Sequence, residues 1–599
     1  MSSIAAALTT NGAPADAEAT SRLLAVGRRD RLPAEMTVWA AGPCAMAAAG
    51  LHRQDRPCAE RGHVRVLFDG RLDNRHAVRA ALIEEGLGLP AAATDAEVVA
   101  SAFLAWGADC AARFMGDFAW CAWDAEQRRL VVARDKCGVK PLYVAELSGV
   151  VFVASSLGAL RLAPGVSSRL SDAAVCDFLL FGQPQDEWAS CFADIARVPA
   201  AHVVTWTADG VRRAHRYWRL ESPPVLRCRD DREYAEGFRD VLGRAVRDRV
   251  TEPRVGVLMS GGLDSSSIAA LATDAVSPDQ CLAITAVYDH ALPDRERQYA
   301  QLVADALGIG IRHVPVDDYG FFARWETDAR PIEPSNEPLT AIMRDLLAHA
   351  GCHSTVALCG EGGDPALLPG ALLRQLGRVP AALLITGGWR ALRKGLWPPL
   401  GLKTAARRWI SDDAGSGPTW LSARLSKGQT VESRWSRRAE AAAPGPEPRT
   451  EALQALHQPF WSATFEAHDP NLTGQSVELR YPFFDERVLS FALSLPSYPW
   501  CLQKTVVREA LAGRLPRPIL RRRKAPVAGD VFAALQWSRS RLLSEVESAE
   551  GLEDFVDIHA FRRTAAVAGE SWIAHPGVLE VACLATWLRV EAGRPAAPA

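Results

Sequence analysis

The chain has 599 residues, of which 48% are apolar and 23% are charged, so it is long enough for two or more domains with substantial cores. Its 68 basic and 70 acidic residues give a formal net charge of -2, which argues against a general binder of nucleic acid or of anionic membranes. Thirteen cysteines without CxxC pairs are typical of free thiols, and the sequence shows neither a secretory signal nor a long uncharged apolar run, so we expect a cytoplasmic protein with no membrane span.

Residues 1 to about 215 are rich in short segments that mix β-branched and aromatic residues between Gly, Asp and Asn turns. They predict strands over 63–68, 118–124, 129–134, 150–155 and 202–206, with helices over 77–85 and 95–107. Such strands with helices between them indicate a layered α+β domain. The segment 219–228 contains Ser222-Pro223-Pro224 and is interpreted as a linker.

The pattern changes after residue 230 to apolar strands that alternate with helices. An amphipathic helix is predicted over 231–250, strands over 255–259, 282–287 and 355–359, and helices over 266–272 and 298–307. This alternation predicts a parallel sheet with helices on its faces. From 367 the pattern weakens, 441–450 is predicted to be a flexible loop, and the remainder from 451 is mostly helical. Basic residues recur at Arg374, Arg378, Arg390, Arg393, Lys394, Lys403, Arg407 and Arg408.

The clearest motif is Ser260-Gly261-Gly262-Leu263-Asp264-Ser265-Ser266, which follows an apolar strand and precedes a helix. Two glycines allow a sharp turn whose N–H groups approach a ligand, and a helix N-terminus favours phosphate. Asp264 is anionic, so it suits Mg²⁺ bound to the phosphates rather than phosphate itself. The motif lacks the lysine of a Walker A loop and the spacing of a dinucleotide fingerprint. An ordinary Gly-Gly turn with a Ser cap is the alternative.

A second glycine loop, Gly360-Glu361-Gly362-Gly363-Asp364, follows the predicted strand over 355–359. Ligands of doubly wound sheets bind beyond the carboxyl ends of the strands, so Asp364 is expected to meet Asp264 across Mg-pyrophosphate. A tight turn with an exposed Asp is the alternative interpretation.

The first loop resembles the SGGxDS motif of the N-type ATP pyrophosphatases, which cleave ATP between its α and β phosphates. Over almost its full length the chain resembles the class B asparagine synthetase superfamily. The blocks that carry this resemblance are residues 68–74, 94–97, 115–119, 134–143, 260–266, 360–364, 477–485, 504–508 and 521–524.

The resemblance implies two domains. Residues 1–218 would form an Ntn-hydrolase-like, glutamine amidotransferase type 2-like α+β sandwich. Residues 230–599 would form an α/β parallel-sheet synthetase domain, like the adenine-nucleotide alpha-hydrolases, with many helices and a loop insertion at about 411–450.

The family's glutaminase begins Met-Cys, whereas this chain begins Met1-Ser2-Ser3-Ile4. A hydroxyl is a much weaker nucleophile than a thiol. Arg71 stands where the family has an acidic residue, although the substrate-gripping Asp is kept as Asp95. We therefore expect a degenerate glutaminase domain; Ser2 as an alternative nucleophile remains open.

The resemblance also implies the site residues. Asp264 and Asp364 would hold Mg²⁺. Lys524 would stabilise the α-phosphate, with Lys504 nearby, and Glu478 would take a proton from the attacking amine. The residues expected to bind ATP or pyrophosphate are Ser260, Gly261, Gly262, Leu263, Asp264, Ser265, Ser266, Leu258, Thr285, Gly360, Glu361 and Lys504. For Lys524 the alternative is a surface base, and for Glu478 an ion pair with Arg480.

Relatives without the cysteine include β-lactam synthetases, carbapenam synthetases and lasso peptide cyclases, in which an amine of the substrate attacks the adenylate. Ring-closing relatives pair the base with an upstream Tyr, and none lies between Tyr319 and Tyr481, so Glu478 would act alone or with His468. The length, the GEGGDP variant and the basic region 367–450 are most similar to lasso cyclases.

The prediction is an ATP- and Mg²⁺-dependent ligase that joins an Asp or Glu side chain of a leader-processed peptide to its N-terminal amine. The alternatives are ammonia-dependent asparagine synthesis, β-lactam-like ring closure and a nucleotide-binding scaffold without activity. A leader peptidase is a further candidate partner. The basic stretch 374–408 has two open interpretations: a docking site for a leader or protease, or a solvated helix face.

Overall fold

The computed structural model describes residues 2–25, 35–50, 56–291, 295–399, 418–428, 431–441, 445, 447–522, 539–567 and 577–593. Its amino-terminal half contains two six-stranded antiparallel sheets, with strand orders β10-β8-β9-β1-β3-β2 and β12-β11-β7-β6-β5-β4. The strands are β1 Ser2–Thr9, β2 Glu35–Ala41, β3 Cys44–Gly50, β4 Cys58–Arg61, β5 Val64–Gly70, β6 Phe118–Asp124, β7 Arg129–Arg134, β8 Tyr143–Leu147, β9 Val150–Ala154, β10 Ala196–Arg197, β11 His202–Thr207 and β12 Arg212–Arg216.

The two sheets pack face to face because alternate residues of each strand point to opposite sides. In β1, Ile4 and Leu8 join the core between the sheets, while Ala5 and Ala7 join the core on the outer side. Helices cover both outer faces, which makes a four-layer sandwich. The helices of this half are α1 Ala17–Ala25, α2 Arg75–Glu84, α3 Asp95–Trp106, α4 Leu157–Leu160 and α5 Asp172–Phe181, with a 3-10 helix at Gly107–Arg113.

The carboxy-terminal half is built on a five-stranded parallel sheet of order β15-β14-β13-β16-β17. Its strands are β13 Val255–Leu258, β14 Cys281–Val287, β15 Gly310–Pro315, β16 Val356–Leu358 and β17 Glu478–Arg480. Helices cover the faces of this sheet: α6 Asp231–Arg249, α7 Leu263–Ala272, α8 Glu296–Leu307, α9 Thr340–Gly351, α10 Gly363–Ala366, α11 Leu372–Gln375 and α12 Ala381–Arg393.

Further helices follow α12 in the described part of the chain. They span Ala423–Gly428, Val431–Ala441, Thr450–Leu456, Phe460–His468, Pro470–Thr473, Glu486–Ser494, Thr505–Ala510, Arg517–Arg521, Arg539–Ser548, Ile558–Val567 and Val578–Ala592, with shorter turns at Pro482–Phe484, Ser497–Cys501, Leu502–Lys504 and Leu552–Asp554. Another short turn, Pro278–Gln280, precedes β14. The last helices enclose a separate apolar cluster with Val175, Phe178 and Leu179 of α5, so they lie against the amino-terminal half.

The predicted fold class, an α+β sandwich followed by a parallel-sheet α/β domain, is confirmed. The region 411–450, predicted to be a loop insertion, differs in its described part because it contains the helices Ala423–Gly428 and Val431–Ala441. The physical reason is a buried Val431 followed four residues later by Trp435, whose ring lies 4.9 Å from that of Phe181.

Among the described residues, no helix combines the length and the apolar character that crossing a bilayer requires.

Candidate active site

The first glycine loop lies between the end of β13 and the start of α7, as the sequence predicts. Gly261 has a φ of 63°, and a Cβ there would lie 2.7 Å from the backbone nitrogen of Ala300, so only glycine fits. The Ser265 hydroxyl accepts a hydrogen bond from the Ser260 N–H at 3.2 Å, which closes the loop on itself. Gly262 is the N-cap residue of α7, and Leu263 begins the helix.

Ser266, in the first turn of α7, is fully buried, and its hydroxyl has no hydrogen-bond partner among the described residues. A buried polar group without a partner costs free energy unless a ligand or water satisfies it. This hydroxyl therefore fits a helix N-terminus that receives an anion.

The second glycine loop touches the first because β16 pairs with β13, so their carboxyl ends are neighbours. A Cβ on Gly360 would lie 2.6 Å from the backbone nitrogen of Ser265. A Cβ on Gly363 would lie 2.7 Å from the Asp264 carboxyl carbon. These two glycines are needed because any side chain would separate the loops.

Lys504 connects the two acidic residues. Its ammonium contacts the carboxylates of both Asp264 and Asp364, the latter at 2.5 Å. Gln503 and Lys504 both have positive φ, at 47° and 56°, in the turn that enters helix Thr505–Ala510. Such strain is found at sites where the surrounding structure fixes a side chain for a purpose. Lys504 therefore lies at the centre of the site.

These residues fit Mg²⁺ bound together with phosphate. In the described residues, no group of three or more His, Cys, Asp or Glu side chains could hold a metal ion unaided. Mg²⁺ in nucleotide sites is usually held by one or two carboxylates, with substrate phosphates completing the shell. Asp264 and Asp364 supply these carboxylates, and the Lys504 ammonium now occupies the position of a cation between them.

The residues predicted on the adenine side lie at the carboxyl end of β13 and within β14. Leu258 is half-buried at the end of β13. Thr285 is buried, and its hydroxyl donates to the Met259 carbonyl at 2.6 Å. The Thr285 side chain therefore ties β14 to β13 at the edge that carries the loops.

Glu478, predicted as the base, lies at the start of β17, where it pairs with Val356 of β16. Along the sheet it therefore lies at a distance from the second glycine loop, which follows the end of β16. Lys140 contacts one of its carboxylate oxygens at 2.9 Å, and Arg480 contacts the other at 2.7 Å. Burial would raise the pKa of Glu478, but the charges of Lys140 and Arg480 outweigh it and hold the pKa well below its usual range. A carboxylate so paired is a weak proton acceptor.

The partner suggested for Glu478 does not contact it. The Nδ1 atom of His468 lies 2.9 Å from the Tyr481 hydroxyl, and burial lowers the pKa of His468 to about 4. Arg480 also donates to Arg249 and Thr251, which precede β13, so this ionic cluster extends towards the end of the sheet where the strands begin. The structure thus brings Asp264, Asp364 and Lys504 together and leaves Glu478 in a separate cluster.

Glu361 lies on the second loop itself, between Gly360 and Gly362, and its side chain is exposed. Its carboxylate therefore lies on the same loop as that of Asp364. Lys524 falls outside the described residues. Two residues before it, Arg522 donates to the carbonyl of Gly261 at 3.0 Å and pairs with Glu296. Sequence reasoning missed Arg522, although it belongs to the basic block 521–524.

Two family models divide the chain between them. The glutamine amidotransferase domain model matches residues 1–218, and the asparagine synthase model matches residues 237–589, which is more than half of the chain. This chain belongs to the asparagine synthase family. It is an ATP-dependent ligase that forms amides.

Curated relatives agree with this family. The chain is 25% identical over 510 residues to asparagine synthetase [glutamine-hydrolyzing] 3 of Bacillus subtilis (strain 168), covering 79% of this chain and 77% of that protein. It is 26% identical over 327 residues to amidase chry2 of Gibberella zeae, covering 51% and 47%. It is 28% identical over 325 residues to a putative asparagine synthetase of Mycobacterium bovis, covering 50% and 46%. The chain thus spans about half the length of the last two.

In this family member, the residues that follow β5 form buried ion pairs. The backbone N–H of Ser2 donates to Asp69 at 3.0 Å. Arg71 pairs with Asp73 at 2.8 Å and with Asp117 at 2.6 Å, and all three side chains are almost fully buried.

Asp95 accepts from the Leu72 N–H at 3.1 Å and lies 3.3 Å from Arg75. The residue that the family resemblance assigns to gripping glutamine is therefore engaged within the domain itself.

Proposed function

We propose that the protein adenylates an Asp or Glu side chain of a peptide and closes it onto the peptide's N-terminal amine, releasing AMP and pyrophosphate. The observation that carries this proposal is the contrast between the two halves. The phosphate loops bring Asp264, Asp364 and Lys504 into contact. The amino-terminal half has Ser2 in place of the cysteine, and Arg71, which stands where the family resemblance expects an acidic residue, is buried in ion pairs with Asp73 and Asp117. The nitrogen would then come from the substrate itself.

In the first step, a carboxylate oxygen of the substrate would attack the α-phosphorus of ATP, and the bond to the bridging oxygen of pyrophosphate would break. Mg²⁺, held by Asp264 and Asp364, would neutralise the phosphate charges. Lys504 would shift from the two carboxylates onto phosphate oxygens, and the N-terminus of α7 would bind the pyrophosphate.

In the second step, the amine would attack the acyl carbon, forming the C–N bond as the C–O bond to AMP breaks. The amine must lose a proton, and a carboxylate near the carboxyl ends of the strands would be placed to accept it. Glu361 lies there, whereas Glu478 is held by Lys140 and Arg480. We therefore infer that Glu361 takes the proton. Holding amine and acyl group in one pocket would supply much of the rate.

Asparagine synthesis from free ammonia is a second candidate, favoured by the similarity to the Bacillus subtilis asparagine synthetase. Both functions need the same phosphate loops and differ only in the substrate that delivers carboxylate and amine.

The test measures pyrophosphate release with Mg·ATP and compares leader-cleaved candidate peptides with aspartate plus ammonia. Mass spectrometry identifies the product. Peptide-dependent release with loss of one water from the peptide supports the macrolactam proposal. Turnover with aspartate and ammonia only would replace it by asparagine synthesis. Asp264→Asn serves as the control that removes a predicted metal ligand, and it should abolish release with every substrate.

A further inference from the structure

Exposed apolar side chains concentrate in one segment of the described chain, residues 368–397. Of twelve large apolar side chains that are exposed, seven lie there: Leu368, Leu373, Leu376, Ile385, Trp389, Leu392 and Trp397. A contiguous group of exposed apolar residues usually marks an interaction site, whereas single ones are normal.

Helix α12 carries two apolar faces. One, formed by Leu384, Gly387 and Ala391, is buried on the turn Ser497–Cys501, and a Cβ on Gly387 would lie 2.4 Å from the Tyr498 carbonyl oxygen. The other consists of Ile385, Trp389 and Leu392, which recur at the i, i+4, i+7 spacing of a single helix face. We call these three residues the apolar stripe. Ile385 is 71% exposed and Trp389 is 58% exposed.

The charge of this segment is entirely positive. Residues 366–399 contain Arg374, Arg378, Arg390, Arg393 and Lys394, and no Asp or Glu. Three of these cations are paired with acids of other elements: Arg374 with Glu451, Arg390 with Asp231 and Lys394 with Glu509.

Arg393 differs from those three, because its guanidinium lies 4.6 Å from the centre of the exposed Trp389 ring. The stripe is thus bordered by a cation on its own surface. An acidic, apolar partner is complementary to such a surface in both charge and hydrophobicity.

The location of the stripe connects it to the phosphate loops. The segment begins directly after α10, which contains Asp364. Helix α12 rests on the turn that leads into Leu502–Lys504. Because Leu384 and Ala391 of α12 share an apolar cluster with Leu502, a ligand on the stripe would lie on the helix that packs against the turn carrying Lys504.

We propose that the apolar stripe and Arg393 dock an apolar, acidic segment of the substrate peptide, outside the part that reacts. This inference rests on the proposed function, because it assigns the surface to the same substrate. Within the basic stretch that begins at Arg374, it gives a binding role to Arg393. The predicted Lys403, Arg407 and Arg408 of that stretch lie outside the described residues.

The test uses the full chain and a fluorescein-labelled peptide rich in Leu, Phe and Glu, with a counterpart that has Gln in place of Glu. Fluorescence anisotropy without ATP reports binding. We expect the double variant Ile385→Ser/Trp389→Ser, and separately Arg393→Glu, to weaken binding of the Glu peptide by about tenfold or more. The matched control, Ile83→Ser/Val211→Ser, removes exposed apolar side chains of the other half and should bind like the wild type.

Several outcomes would overturn the inference. These are equal binding by the double variant and the wild type, or equal binding of the Gln and Glu peptides. Loss in the double variant of binding to phosphatidylglycerol vesicles would assign the stripe to a lipid surface. Loss of self-association in sedimentation velocity would assign it to a second copy of the chain.

The assay also separates this inference from the proposed function. Stripe-dependent peptide binding without any peptide-dependent pyrophosphate release would retain the docking surface and remove the macrolactam proposal. If pyrophosphate release depends on the peptide but the double variant binds the peptide like the wild type, the macrolactam proposal is retained and the docking surface is removed.

Discussion

At the residue scale, the site depends on a cation held between two acids. Lys504 contacts Asp264 and Asp364 and has a left-handed backbone conformation that costs about 1–3 kcal/mol for a residue with a side chain. Sequence reasoning ranked Lys504 below Lys524, because Lys524 matches the late lysine that the family resemblance assigns to the α-phosphate. Only the fold shows that Lys504 reaches both acids.

Lys504→Met is expected to lower pyrophosphate release by about 10²–10³-fold, since one charge stabiliser of the transition state is lost. Steady-state pyrophosphate release, with whichever substrate supports turnover in the test of the proposed function, measures this loss. Lys427→Met, on an exposed helix position, is the matched control and should keep wild-type rates. Equal rates for the two variants would remove Lys504 from the site.

Exchange of the two candidate bases tests where the proton goes. In Glu361→Gln, adenylate formation, measured by pyrophosphate exchange, should stay near the wild-type rate. Amide formation should fall by about 10²-fold or more. Glu478→Gln should affect stability first, because it leaves Lys140 without a charged partner in β17. If a folded Glu478→Gln variant loses amide formation and Glu361→Gln does not, the base is Glu478 and not Glu361.

At the element scale, the two glycine loops were predictable and several strands were not. Each loop follows an apolar strand and carries glycines in a recognisable order, so the sequence indicates both loops and their neighbourhood. Strands β1 and β3 escaped because SSIAAALT and CAMAAAG are rich in Ala, which favours helix. They are strands because both faces of their sheet are covered, and small side chains fit between its layers.

Gly363→Ala tests the contact between the loops. Its Cβ would lie 2.7 Å from the Asp264 carboxyl carbon, so the loops must separate and pyrophosphate release should fall by at least about tenfold. Gly388→Ala is the matched control: no atom lies within 4 Å of its added Cβ, and it lies inside α12. It should raise the free energy of unfolding by up to about 1 kcal/mol without changing release. Equal losses of pyrophosphate release in Gly363→Ala and Gly388→Ala would contradict a role for the contact between the two loops.

At the scale of the whole molecule, buried ion pairs join the two halves. Arg249 of α6 contacts Asp73 and Asp117 at 3.5 and 3.6 Å. Lys140 contacts Asp69 at 3.5 Å and Glu478 at 2.9 Å. The sequence does not reveal the pairs that join the halves, since their partners lie more than a hundred positions apart.

Lys140→Met leaves two buried carboxylates without their shared cation and should destabilise the protein by about 3–5 kcal/mol at pH 7. Burial already raises the pKa of Asp69, and losing the cation raises it further; the pKa of Glu478, which Lys140 helps to hold low, rises as well. The variant then binds more protons when folded, so the destabilisation should shrink between pH 7 and pH 4.

Urea unfolding at both pH values measures this difference. The double variant Lys140→Met/Glu478→Gln, which removes one of the stranded charges, should recover part of the loss at pH 7. A loss that is independent of pH would show that packing, not charge, connects the domains here.

The closing helix Val578–Ala592 has a consequence for synthesis of the chain. Trp587 packs with Phe192 and Trp325 in the apolar cluster on the outer face of the first sheet, and Glu591 pairs with Arg161. During translation, residues 2–218 leave the ribosome long before Trp587 does. Helices α1 and α4 cover part of that face early, but the part under Trp587 stays open to solvent, or to a chaperone, until this helix emerges. Early release of a truncated chain would expose this apolar surface. Truncation before Val578 should accordingly favour aggregation, even though every residue of the phosphate site has already been made.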